Sequence, residues 1–87
     1  MKPRDEFFSR ADRYSLGVDE ETGRHYASFP VNSSAFGYEE YYGLTEDQFR
    51  LFMADKAAAL AFVEECRRHE HDELLLEKPG WNRGTPV

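Results

Sequence analysis

Between Asp55 and Leu76 the chain carries one helical signal that limits what the rest of it can form. Ala59, Phe62, Val63 and Cys66 recur at i, i+3, i+4 and i+7, the spacing that places apolar side chains on a single helical face. Ala57, Ala58, Leu60, Ala61 and Glu64 around them are strong helix formers, so local propensity agrees with the pattern. Asp55 stands where its carboxylate can accept hydrogen bonds from the free N–H groups of the first turn. The helix is predicted to run to about residue 70, with Arg67, Arg68 and His69 near its C-terminal dipole. Such a helix needs an apolar surface to cover, and the residues before it must supply that surface.

A second helical segment leads into it. Thr45-Glu46-Asp47-Gln48 has the form of a capping box, in which Thr45 caps the N–H of Gln48 and Gln48 reaches back. Phe49, Phe52 and Met53 follow at i, i+3 and i+4, and the segment is expected to break near Ala54-Asp55.

Upstream the period changes to two. Tyr14, Leu16 and Val18 alternate with Arg13, Ser15 and Gly17, the pattern of a half-buried strand. Asp19 to Gly23 reads as a hairpin loop ending in a glycine free to take positive φ, and Arg24 to Val31 as the returning strand. Pro30 lacks an N–H, which places it at an edge or a strand end. Asn32-Ser33-Ser34 reads as a second turn, and Ala35 to Leu44 as a third strand. In that strand Phe36, Tyr38, Glu40 and Tyr42 share one face, with Glu39 and Tyr41 on the other. Residues 1–11 read as a helical turn or loose N-terminal segment whose Phe7 and Phe8 dock on the core, and residues 78–87 as an extended tail anchored by Trp81. The expected fold is therefore α+β: one domain over residues 1–87, a three-stranded antiparallel β-meander under a short and then a long C-terminal helix, two layers in the order β-β-β-α-α.

The charge balance narrows the class of partner. A net charge of −6 works against binding nucleic-acid phosphates or an anionic membrane, and it suits a basic protein partner. Seven Phe, five Tyr and one Trp exceed what one small core needs, which leaves rings for a contact surface or for self-association into a homo-oligomer. A single cysteine excludes an internal disulfide framework, no apolar run approaches a membrane span, and acidic residues stand where a signal peptide would be apolar. A cytoplasmic location is expected.

Candidate chemistry is sparse. His69, His71 and Asp72 are proper ligand types for a transition metal, but on a continuous helix residues i and i+2 point about 200° apart. Glu39 and Glu40 are neighbours on a strand and face opposite ways, so they form no acid–base pair, and His25 would reach either only across the sheet. Cys66 lies on the apolar helical face, the setting of a structural thiol. No phosphate-binding loop, dinucleotide fingerprint or nucleophile elbow is present.

The expectation is a non-enzymatic, acidic interaction module without a cofactor, of the kind represented by inhibitors and immunity or antitoxin-like regulators. Its partner surface is expected to draw on Tyr38, Glu39, Glu40, Tyr41, Tyr42, Glu46, Asp47 and Trp81. The alternative is a small metal-binding protein or enzyme using His69, His71 and Asp72 with His25 and a strand glutamate.

Overall fold

Alternation, hairpin chemistry and helix caps assemble one sheet and one helical layer in the computed structural model, which describes residues 1–33, 36–77 and 85–86. Strands β1 (Pro3–Ser9), β2 (Tyr14–Asp19), β3 (His25–Ser33) and β4 (Phe36–Leu44) form an antiparallel meander in the order β1-β2-β3-β4. Helices α1 (Glu46–Ala54) and α2 (Lys56–Arg67), a 3₁₀ turn (Asp72–Leu74) and the short β5 (Thr85–Pro86) complete the chain. Of the expected tail, β5 pairs antiparallel with β3 at Asn32 and Val31, while Trp81 lies outside the described residues.

The class is α+β with one antiparallel sheet, but the meander has four strands where three were expected. The additional strand is β1, in the segment expected to be a helical turn or loose end. Its register explains why alternation concealed it: Asp5 pairs with Gly17 and Phe7 with Leu16, so a β-bulge at Glu6 turns the strand by one residue. The bulge puts Asp5 and Phe7, two residues apart, on opposite faces, after which Phe7 and Phe8 alternate as in any strand. As an edge strand β1 also carries Pro3, Arg4, Asp5 and Glu6, residues that discourage pairing with other chains and lower strand propensity.

Two further expectations are corrected, those for Asn32-Ser33 and for β2, and the one for Pro30 is met locally. Asn32 and Ser33 extend β3 instead of turning, because Asn32 pairs with Gly37 and Ser33 with Phe36. Pro30 sits inside β3 opposite Glu39, just past the last residue of β3 that pairs with β2, Ser28, so its missing N–H falls where the β2 ladder has ended. Strand β2 is buried on both faces, Ser15 and Asp19 included, because β1 gives it a second neighbour.

The helical layer follows its sequence signals closely. Thr45 caps α1 through Gln48 N–H at 3.0 Å and the Gln48 amide returns to Thr45 N–H at 2.8 Å. Asp55 ends α1 and starts α2, its carboxylate accepting from Ala57 and Ala58 N–H at 3.1 Å. Ala59, Phe62, Val63 and Cys66 of α2 and Phe52 of α1 are buried against Leu16, Ala27, Phe29, Val31, Tyr42 and Leu44. Helix α2 stops at Arg67, short of residue 70, where the chain reverses through His69 at φ 63°. Arg67 closes the other end of the sheet: its guanidinium donates to the carbonyls of Asp12 (2.7 Å) and Arg13 (3.0 Å) in the β1–β2 turn.

The fold thus covers one sheet face with helices and leaves the other without a second layer of regular structure among the described residues. No helix among them is long and apolar enough to cross a membrane.

Candidate functional site: an acidic tyrosine row on the open sheet face

Strand alternation divides the acidic, aromatic stretch of β4 between two environments. Tyr38, Glu40 and Tyr42 point into the helical layer. Tyr42 is fully buried, stacks on Phe29 at 5.5 Å and brings its hydroxyl within 3.3 Å of the Cys66 carbonyl. Glu40 is only 4% exposed and accepts from the Tyr38 hydroxyl at 3.2 Å and the Tyr42 hydroxyl at 3.1 Å. A carboxylate under a helix needs such donors, so these three residues form an internal polar network and present no acidic surface.

Glu39 and Tyr41 point the other way, and the register of three further strands builds around them. Tyr41 lies opposite Ser28 and Glu39 opposite Pro30. Two residues before Ser28, Tyr26 lies on the same face, opposite Gly17 of β2, which in turn lies opposite Asp5 of β1. Without a side chain at Gly17, the Tyr26 phenol crosses β2 and donates to Asp5 Oδ1 at 2.5 Å. Tyr41 meets the Tyr26 ring edge-on with centroids 5.0 Å apart, and its hydroxyl donates to Glu39 Oε2 at 3.3 Å. Asp5, Tyr26, Tyr41 and Glu39 therefore form one connected row, carboxylate–ring–ring–carboxylate, spanning the sheet from β1 to β4. Phe8, 55% exposed, shares this face opposite Ser15.

The electrostatics of the row are unbalanced. Among the described residues no lysine or arginine lies within ion-pair distance of Asp5 or Glu39, whereas Arg4, Arg50, Arg67 and Arg68 are taken up by Glu6 and Glu20, Glu46, Glu64 and Glu70. Partial burial, and then the charge of Asp5, push the Glu39 carboxyl above its ordinary range against the lowering effect of the Tyr41 hydrogen bond. Burial and the neighbouring Glu39 push the Tyr41 phenol up to about 12, and burial with the Asp5 bond pushes that of Tyr26 higher still. Both phenols stay protonated and act as donors throughout the physiological range.

The raised carboxyl gives a testable sign. A group raised in the fold contributes stability below its unfolded pKa of about 4.3, and that contribution is lost as pH rises through the folded value. Ionised Glu39 therefore opposes folding at neutral pH. Glu39→Gln, which can still accept from Tyr41, is expected to melt higher than the parent at pH 7, with the difference closing below about pH 4. A variant that melts lower at pH 7 would show that Glu39 is a structural anchor instead.

The other candidate residues do not join the row. Glu46 and Asp47 occupy the first turn of α1 in the helical layer, where negative charge complements the helix dipole, and Glu46 pairs with Arg50. His25 stacks on Phe49 of α1 at 4.4 Å, opposite Leu44 and away from both strand glutamates. Because α2 ends at Arg67, the helical geometry expected to separate His69 from His71 does not apply. His69 is exposed in the reversal, whereas His71 packs back on Phe62 (5.0 Å between ring centroids) with Nε2 2.7 Å from Glu65. Asp72 starts the 3₁₀ turn, and among the described residues no group of three His, Cys, Asp or Glu side chains is placed to hold a metal ion. A surface cavity of about 480 Å³ beside the Asp19–Gly23 hairpin is lined by Asp19, Glu21, Arg24 and Glu77, charges of both signs. Asp19 is already committed there, accepting from Lys2 N–H (2.9 Å), Glu21 N–H (3.0 Å) and the Thr22 hydroxyl (2.8 Å).

Cys66 is 1% exposed, and burial, reinforced by the charges of Glu65, Asp72 and Glu73, pushes its thiol up to about 12. Modification of native protein by a thiol-specific disulfide reagent is expected to proceed only as fast as the protein opens, and at once in denaturant. Stoichiometric labelling within the mixing time under native conditions would contradict this placement.

Sequence reasoning reached Glu39 and Tyr41 but missed Asp5, Gly17 and Tyr26, whose association depends on the β1–β2–β3 register. No family model, curated protein or solved structure matches the chain in comparisons with known proteins.

Proposed function

We propose that this chain is a small acidic interaction module that binds a basic protein surface through the open face of its sheet. The observation that carries the reading is the row Asp5–Tyr26–Tyr41–Glu39, with two carboxylates held by tyrosine hydroxyls and no described cation beside them. The half-exposed Tyr41 ring, packed edge-on against a fully buried Tyr26, gives a contact surface at low entropic expense, and the exposed carboxylates of Asp5 and Glu39 steer a cationic partner under a net charge of −6. Recognition by side chains suits the geometry better than strand addition at β4, because Leu76 N–H already donates to the Tyr41 carbonyl at 2.8 Å and Leu75 bridges Tyr42. An inhibitor or immunity-like regulator that covers a basic cleft is the concrete form this reading takes.

The test is affinity capture from the native cell with the parent chain, with Asp5→Lys/Glu39→Lys, and with Glu46→Lys/Asp47→Lys as a control of equal charge. The expected result is one basic protein retained by the parent and the control and lost by the open-face variant. Retention by the open-face variant, or recovery of the chain alone, would overturn the proposal.

A further inference from the structure

The sheet ends at β1 and at β4, and the fold guards the two edges differently. Strand β1 carries charges and a bulge, whereas β4 is covered from outside by the segment that follows α2. That segment reverses at His69 and packs His71 on Phe62 and Glu65. It then lays Leu75 and Leu76 along β4, where Leu76 N–H donates to the Tyr41 carbonyl at 2.8 Å. We infer that this strap, residues 68–76, is an edge guard. It keeps the chain monomeric by occupying a strand edge that is complementary to itself, and its displacement lets β4 of a second copy pair there.

The sequence of β4 supplies the complementarity. Around Glu40 it reads Gly37-Tyr38-Glu39 on one side and Tyr41-Tyr42-Gly43 on the other. When two such strands pair antiparallel about a two-fold axis at Glu40, Gly37 lies opposite Gly43, Tyr38 opposite Tyr42 and Glu39 opposite Tyr41. The tyrosines form a favourable cross-strand aromatic pair. The Tyr41 hydroxyl, which donates to Glu39 along its own strand at 3.3 Å, faces Glu39 of the second copy. Moving the axis by one residue either way sets tyrosines against glutamates and breaks these matches. Only Glu40 faces its own copy, a like pair that weakens the joint and favours the guarded monomer. Opposed residues keep their faces, so the two open faces lie side by side on one continuous sheet.

The backbone of β4 is set for the same register. Tyr41 turns its carbonyl outward to Leu76, so Glu39, two residues earlier, turns its own N–H and C=O outward as well. On the inner side Glu39 lies opposite Pro30, which has no N–H to offer it. Among the described residues no group bonds the outward N–H and C=O of Glu39. In the register about Glu40 these groups meet Tyr41 of the second copy, so strap and second copy compete for one carbonyl.

The test is the mass of the whole chain by light scattering at about 100 µM, where weak strand pairing registers. The parent is expected to be monomeric, and Leu76→Pro, which removes the N–H that holds the strap, to double in mass. Leu76→Pro/Glu39→Pro is expected to return to the monomer, because the second proline removes an outward N–H and leaves the β3 ladder intact. Isotope-filtered Overhauser contacts in a mixed sample are expected to join Tyr38 of one copy to Tyr42 of the other. A monomeric Leu76→Pro with a native spectrum, a dimer that survives Glu39→Pro, or contacts in another register would each overturn the inference. Should Leu76→Pro not fold, hydrogen exchange of the parent decides. At millimolar concentration the Glu39 and Tyr41 amides are expected to gain about threefold protection over the dilute protein, and an absence of gain would overturn the edge-guard assignment.

Discussion

Gly17→Ala is expected to destabilise the protein by about 3 kcal/mol or more and to free β1 from the sheet, the largest effect of any single added methyl group in this fold. A Cβ at this position would stand 2.3 Å from the backbone carbonyl oxygen of Arg4 and 2.5 Å from the Tyr26 hydroxyl. Relief of the second contact requires the phenol to leave Asp5, but relief of the first requires movement of β1 itself, because a main-chain oxygen has no rotamer to change. The two contacts are separable by experiment. Tyr26→Phe in the Gly17→Ala background removes the hydroxyl and is expected to restore little stability, since the clash with Arg4 persists. Urea unfolding gives the loss, and hydrogen exchange locates it, with β1 amides exchanging early while those of β3 and β4 stay protected. Gly43 is the internal contrast: a Cβ there meets the far ends of the Arg24 and Leu76 side chains at 2.7 and 3.0 Å, which can swing aside. A loss at Gly43→Ala equal to that at Gly17→Ala would contradict the distinction between backbone and side-chain obstruction.

The same glycine shows where sequence reasoning stops. Helical features were legible because each is a local rule: the period of α2, the Thr45–Gln48 box and the Asp55 cap involve residues a few positions apart. The β2–β3 hairpin was legible for the same reason, with Gly23 at φ 77° in its loop. Strand β1 was not, because its bulge breaks the alternation that identifies a strand and its edge position fills it with charged residues. The candidate site was half legible. Alternation along β4 separates Glu39 and Tyr41 from Tyr38, Glu40 and Tyr42, but nothing local indicates that a tyrosine on β3 reaches an aspartate on β1 across a glycine on β2. That arrangement is a product of register, and register depends on β1 being a strand. Glu40 was illegible for a different reason: two nearby tyrosine hydroxyls let a glutamate remain under a helix where composition alone places it in solvent.

Phe29→Ala carries the second large expected effect and tests the other side of the sheet. Phe29 is 1% exposed, stacks on Tyr42 with rings 17° from parallel, and lies beneath the Arg67 guanidinium at 5.3 Å. Truncation of a buried phenylalanine loses about 3–5 kcal/mol through lost transfer free energy and the cavity left behind. A domain of 87 residues has a total stability at the lower end of about 5–15 kcal/mol, so the variant is expected to be largely unfolded at 37 °C. The loss extends beyond one cavity. Tyr42, deprived of its stacking partner, also supports Glu40, and Arg67, deprived of the ring, is the side chain that fastens α2 to the β1–β2 turn. Phe29→Leu retains most of the volume and is expected to lose about 1.5 kcal/mol or less, whereas Phe8→Ala on the open face is expected to change stability by about 0.5 kcal/mol or less. Thermal melts of the three variants by circular dichroism rank them directly. A Phe29→Ala protein as stable as Phe8→Ala would mean that the helical layer is not seated on β3.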